Sequence, residues 1–163
     1  MSRAARESIK LVFDTIRDIW GLRGNNTGTR SISEIIVDDV DAVFAGSWGS
    51  SSSQDGYIGT GYRYNSPGTG ADTATWTITV PETGSYEVYA RWSVAGSNRA
   101  SDAPYTVYYD GGSATGDMDQ RVNGGEWVSL GVYSFEAGPA SVALSDDADG
   151  YVIADAIRFI LEE

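Results

Sequence analysis

The sequence contains no cysteine, no histidine and a single lysine, Lys10, in 163 residues. Without cysteine there is no disulfide framework and no thiolate metal site. Without histidine the commonest general base and the commonest metal ligand are missing together. Long hydrophobic runs are also missing. Nothing approaches the ~20 apolar residues of a membrane-spanning helix. The longest aliphatic-aromatic run near the N-terminus is Leu11-Val12-Phe13, bracketed by Lys10 and Asp14, whereas a signal peptide needs an apolar stretch of about 7–15 residues. No membrane span and no signal peptide are therefore expected. Met1 is read as the start of a complete small protein.

Positive charge is scarce as well. The formal net charge is -12, from 23 acidic and 11 basic residues. Six of the basic residues (Arg3, Arg6, Lys10, Arg17, Arg23 and Arg30) lie in residues 1–30 with three acids, so that segment carries +3 and the remainder -15. A body this acidic repels phosphate backbones, which excludes nucleic acid as its partner. Acidic excess with almost no lysine is the composition expected of a protein kept soluble in brine.

Aromatic residues are plentiful. There are five Trp and ten Tyr, 12% of the chain with Phe included, which suits strands and recognition surfaces. The N-terminal segment reads as a helix over residues 1–23. Ile9, Val12, Phe13, Ile16, Ile19 and Trp20 recur at spacings of three and four and make one apolar stripe. A lone helix of this length is marginal, so the stripe must bury against something. Self-association into a short coiled coil is the expected solution, a trimer in the simplest form. Residues 24–33, opening Gly24-Asn25-Asn26-Thr27-Gly28-Thr29, form a polar, Gly-rich linker.

From residue 34 to 163 the period changes to two. In Thr75–Val80, Trp76, Ile78 and Val80 share one face. After the turn Pro81-Glu82-Thr83-Gly84, residues Tyr86, Val88, Ala90, Trp92 and Val94 share another. Further strands are expected at Glu34–Asp38, Tyr62–Asn65, Pro104–Tyr109, Trp127–Phe135, Ala140–Leu144 and Tyr151–Leu161. Many short strands parted by Gly, Ser, Asn and Asp clusters argue for an all-β sandwich or jelly roll.

Several constellations invite a chemical reading. Ser145, Asp147, Asp149, Gly150 and Val152 fall near positions of a calcium loop, but the closing bidentate Glu is replaced by Ala156. A tight acidic hairpin is the preferred reading. Asp155 alternates with Ile153, Ile157 and Phe159 and so falls on the apolar face. A buried carboxylate needs hydrogen bonds or a cation, and Arg91, Arg99 or backbone amides are its expected partners. Gly59-Thr60-Gly61 lacks the strand–loop–helix setting of a phosphate loop and reads as a turn. Trp76, Tyr86 and Trp92 are expected in the core. Tyr57, Tyr62, Tyr64 and Trp127 lie beside Gly-rich loops or a strand end, where flat rings stack on sugar faces. Arg99, with Asn98 and Asp102, is the best polar cluster beside them. Tyr57, Tyr62, Arg99 and Trp127 are the candidate ligand-binding residues. No catalytic residue, cofactor or metal site is assigned.

The β portion resembles a known family. The stretches that carry the resemblance are Ile36-Val37-Asp38-Asp39, Gly46-Ser47-Trp48, Gly61-Tyr62-Arg63-Tyr64, Ala74-Thr75-Trp76, Gly84-Ser85-Tyr86-Glu87-Val88-Tyr89-Ala90-Arg91-Trp92, Gly96-Ser97-Asn98-Arg99-Ala100, Ala103-Pro104-Tyr105-Thr106-Val107, Val122-Asn123-Gly124-Gly125-Glu126-Trp127, Leu130-Gly131 and Gly150-Tyr151-Val152-Ile153-Ala154-Asp155-Ala156-Ile157-Arg158-Phe159. In this order, over about residues 34–160, they resemble the golvesin C-terminal-like domain, also called the xanthan-lyase carbohydrate-binding-like domain. The resemblance implies a jelly-roll sandwich and a non-catalytic appendage of secreted or surface proteins. It implies no catalytic residues. An extracellular or surface domain without a signal peptide is accommodated by a virion protein, with the helix seated in a capsid, baseplate or fibre and the sandwich facing a glycan or cell surface. The alternatives are an accessory binding domain of a secreted polysaccharide lyase or peptidase, and a purely structural decoration protein.

Overall fold

The computed structural model describes residues 34–94 and 96–163. The expected helix at 1–23, the linker at 24–33 and the oligomerisation stripe Ile9, Val12, Phe13, Ile16, Ile19 and Trp20 lie outside the described residues. Among the described residues the regular structure is all β apart from one 3-10 turn. Twelve strands occur in order: β1 (Glu34–Val37), β2 (Val43–Ala45), β3 (Gly49–Ser51), β4 (Tyr62–Asn65), β5 (Thr73–Val80), β6 (Gly84–Arg91), β7 (Ala103–Tyr109), β8 (Gly112–Met118), β9 (Val128–Phe135), β10 (Gly138–Ser145), β11 (Val152–Ala154) and β12 (Ala156–Leu161). The 3-10 turn, Asp39–Asp41, follows β1. No helix among the described residues is long and apolar enough to cross a membrane.

The strands pair antiparallel into three sheets, ordered β1-β12-β6-β9, β2-β5-β10-β7-β8 and β11-β4-β3. The two larger sheets make the sandwich, because each has one apolar face from period-two patterning. From the first sheet Tyr86, Val88, Ala90, Ile157 and Phe159 turn inward. From the second come Trp76, Ile78, Val80, Tyr105, Val107, Val142 and Leu144, all essentially buried. Aromatic rings pack along each inner face: Trp76 stacks on Tyr105 at 6.5 Å within the second sheet, and Phe135 meets Phe159 at 5.2 Å within the first. Truncating an indole such as Trp76 in this setting costs about 3–5 kcal/mol. Trp76, Tyr86 and Trp92 are thus core residues, as expected.

Two details differ from the pattern in the sequence. The expected strand Tyr151–Leu161 is two strands, broken at Asp155. Its first half pairs with β4 and its second with β1 and β6. Burial is continuous through the break, with Ala154, Asp155 and Ala156 all buried, so no exposed position marks the change of sheet. Val94 leaves the apolar row at the end of β6 and is 44% exposed. In addition, the β6–β9 register shifts between Val88 and Tyr89. Gly131 sits at this bulge with φ +126°, where a side chain is disfavoured and a Cβ would meet the Tyr133 hydroxyl at 2.9 Å.

Candidate functional site

The small sheet β11-β4-β3 borders an open groove of ≈ 380 Å³ lined by Ser51, Ser53, Gln54, Tyr62, Tyr64, Gly96, Asn98, Arg99 and Tyr151. A parallel bridge between Arg99 and Tyr151 joins the 96–100 loop to the start of β11. Ala100 N donates to Tyr151 O at 2.9 Å, and Tyr151 N donates to Asn98 O at 2.9 Å. Those bonds fix Arg99 beside Tyr151. The Tyr64 and Tyr151 rings are 6.2 Å apart and tilted by 55°, and Tyr151 is 36% exposed. The Arg99 guanidinium stands over the Tyr62 ring at 5.5 Å and donates through Nη2 to Ser93 Oγ at 3.3 Å. Its Nε is buried and has no hydrogen-bond partner. Burial raises the Tyr62 phenol, but hydrogen bonds from Ser51, Ser53 and Arg99 outweigh it and leave the group below the usual tyrosine value. Chemically, the groove offers tilted aromatic faces, hydroxyls, amides and one guanidinium.

The four candidate residues are not all brought together. Arg99 lines the groove. Tyr62 lies beneath it, only 3% exposed, so its ring is a floor and its hydroxyl the contact edge. Tyr57 packs on Tyr62 with ring centres 6.0 Å apart and is not among the lining residues. Trp127 stands with a different set. It precedes β9 and is flanked by the guanidinium of Arg158 at 4.6 Å and that of Arg91 at 5.6 Å. Arg158 also lies over Tyr89 at 4.4 Å and reaches Glu34 at 3.3 Å. These arginines alternate with buried Ala90, Ile157 and Phe159, so the cluster is on the outward face of the β1-β12-β6-β9 sheet. Asp102 is likewise absorbed elsewhere, accepting from Asp149 N at 2.8 Å. Sequence reasoning left Tyr151 out of the binding set. Its signal was an aromatic directly after Gly150, as with Tyr62 after Gly61.

The acidic hairpin at residues 145–150 is a lock between loops. Asp146 Oδ1 accepts from Gly70 N at 2.8 Å and Asp72 N at 3.2 Å. Asp149 accepts from the backbone and side chain of Ser101. These oxygens are committed to protein donors.

Asp155 is wholly buried, and one of its oxygens accepts from Ile58 N at 3.0 Å. A backbone amide was one of the expected partners. Neither Arg91 nor Arg99 hydrogen-bonds to it. The unexpected neighbours are Asp38 and Asp39. Asp38 Oδ1 accepts from Asp39 N at 2.9 Å and caps the 3-10 turn. Burial, reinforced by the carboxylates of Asp38 and Asp39, pushes the Asp155 carboxyl up to about 8. Burial and the Asp38 charge push Asp39 up to about 7. Removing three like charges from water together disfavours the ionised forms.

Residues 35–161 match the golvesin C-terminal domain family model. The chain is 37% identical over 142 residues to the xanthan lyase of Bacillus sp. (strain GL1), covering 82% of this chain and 15% of that protein. The structure of a Paenibacillus xanthan lyase superposes with a TM-score of 0.75 at 35% identity, over 80% of this chain and 13% of that one. A family 35 carbohydrate-binding module from Clostridium thermocellum superposes with a TM-score of 0.60 at 20% identity, over 80% of this chain and 99% of the module. That last likeness concerns the fold. The chain spans less than a sixth of the lyases it matches, and corresponds to a small portion of those larger enzymes.

Proposed function

This chain belongs to the golvesin C-terminal domain family, and we propose on that footing that it is a non-catalytic module that holds an extracellular polysaccharide in the groove beside β4 and β11. The observation that carries this reading is the grouping of the Tyr64 and Tyr151 faces with the Arg99 side chain along one groove. Tilted rings suit the C–H patches of a sugar, and a guanidinium suits a hydroxyl or carboxylate oxygen. The groove is open, so it grips a segment of chain without engulfing it. Because the similar lyases are named for xanthan, xanthan is the first polysaccharide to test. Titration calorimetry with a polysaccharide panel should give binding, and Arg99→Ala and Tyr151→Ala should each weaken it about tenfold, the effect of losing ~1.4 kcal/mol. Binding unchanged in both variants would refute the groove as the site.

The accessory-domain reading is preferred to the virion reading, since the matched relatives are polysaccharide lyases. The proposed arrangement remains residues 1–23 as a self-associating helix, 24–33 as a linker and 34–163 as the sandwich. The helix stripe supports a homo-oligomer, and several weak grooves on one assembly bind a polymer more tightly than a single copy. The acidic body supports an extracellular, salt-rich working environment.

A further inference from the structure

Asp38, Asp39 and Asp155 each offer a carboxylate oxygen within 4.8 Å of the other two. Asp155 is fully buried and Asp39 is 4% exposed. Asp39 Oδ1 and Asp155 Oδ2 are buried oxygens without any hydrogen-bond donor. Such orphaned acceptors are costly inside a protein. Arg63 approaches the trio, its Nε 3.6 Å from Asp39 Oδ2, but its side chain is 39% exposed. Arg91 acts on Asp155 without hydrogen-bonding to it, so among the described residues two guanidinium groups face three acids.

We propose that Asp38, Asp39 and Asp155 bind one divalent cation of the calcium type. A dication supplies the missing charge and gives both orphaned oxygens a partner. The donors are all hard carboxylate oxygens, which suit calcium or magnesium and not the softer transition metals. Burial decides between those two. Magnesium surrenders its water shell reluctantly, whereas calcium accepts many protein oxygens in irregular geometry. The surroundings are shaped for close approach. Gly59 has φ +67°, and a Cβ there would lie 2.1 Å from Asp38 Oδ2. Ile58 N already holds the other oxygen of Asp155. The cation would tie together the 3-10 turn, the turn at Gly59 and the junction of β11 with β12.

Terbium is a fitting probe, because the Trp76 indole N–H donates to Asp155 O at 3.2 Å and so lies near enough to sensitise it. The full chain, stripped with chelator, should show luminescence at one high-affinity site, displaced by calcium far better than by magnesium. Calcium should raise Tm by about 5 °C or more. Asp39→Asn and Asp155→Asn should each weaken binding at least tenfold. The sign of their stability effect is the sharper readout. In chelator each relieves the crowding of buried carboxyl groups and should leave Tm equal or higher, while in calcium each should lower it. Three results overturn the proposal: no calcium-dependent Tm in stripped protein, terbium binding that survives Asp39→Asn with Asp155→Asn, or Asn variants that destabilise equally with and without calcium. Asp38→Asn, at the rim of the trio, serves if either buried variant fails to fold.

Discussion

Gln120 is wholly buried, and its side-chain amide stands in for a missing strand. Its Nε2 donates to Ile153 O at 2.9 Å, and Ile153 N donates to its Oε1 at 2.8 Å. This is the two-bond exchange of a hydrogen-bonded antiparallel pair, made by a side chain on the side of β11 away from β4. Nε2 also donates to Tyr105 Oη at 3.0 Å. Gln120→Met keeps the volume and deletes all three bonds. Ile153 N–H is then left buried and unpaired, at about 1–3 kcal/mol. Ile153 O fares better, because Tyr105 Oη also donates to it at 3.3 Å, so its share is about 1 kcal/mol or less. The expected loss is about 1–4 kcal/mol, read as a lower urea midpoint at unchanged slope. Gln120→Glu retains the acceptor but forces a carboxylate into the core. It should be at least as damaging at neutral pH and recover partly in acid, where the protonated group donates again. A loss below about 0.5 kcal/mol in Gln120→Met would refute this account of β11, because a truly unpaired buried amide cannot cost so little.

Asp146→Ala should lower stability by about 1–3 kcal/mol by freeing the amides of Gly70 and Asp72, measured by urea unfolding. Trp127→Ala should leave polysaccharide affinity unchanged, since the ring is engaged with Arg91 and Arg158 away from the groove; a tenfold loss in calorimetry would move the site to that face. Thermal unfolding from dilute to molar potassium chloride should show Tm rising, because a body of -15 repels itself and the Debye length shrinks to about 3 Å at 1 M; a flat or falling curve removes the brine reading. Polar residues at Ile9, Ile16 and Trp20 should reduce the solution mass to that of a monomer by light scattering while the sandwich stays folded; an unchanged mass removes the coiled-coil reading.

Strands with one buried face were legible in the sequence. In β5, β6, β7 and β10 the inward positions alternate with half-buried or exposed ones, and period two follows directly. The strands that escaped notice carry no such signal. β8 reads Gly-Ser-Ala-Thr-Gly-Asp-Met and buries none of its residues fully, and β2 and β3 have three residues each. Edge strands of this kind are held by backbone pairing, which any sequence provides. The fate of the aromatics was legible only in part. A Trp or Tyr beside a Gly-rich loop is equally suited to a sugar and to a guanidinium, and Trp127 found two arginines from strands distant in sequence. Asp155 was recognisably buried, but Asp38 and Asp39 lie more than a hundred residues earlier, beyond any local pattern.

The groove and the acidic trio are joined by one irregular segment, residues 52–61, whose backbone is committed at successive points. Asp55 O accepts from Val94 N at 2.7 Å. Gly56 O accepts from Arg91 Nε at 2.7 Å, and Ile58 N donates to Asp155. At its start Ser53 reaches the Tyr62 hydroxyl at 3.5 Å, and Gln54 lines the groove. A stretch without strand or helix keeps its shape only through such long-range bonds, since its own backbone groups have no ladder to join. Loosening Asp155 therefore releases Ile58 first, and through it the loop that presents Ser53 and Gln54. Tyr64 and Arg99, held by β4 and the bridge to Tyr151, stay in place. A change at the acidic trio should accordingly alter the polar rim of the groove while sparing its aromatic faces.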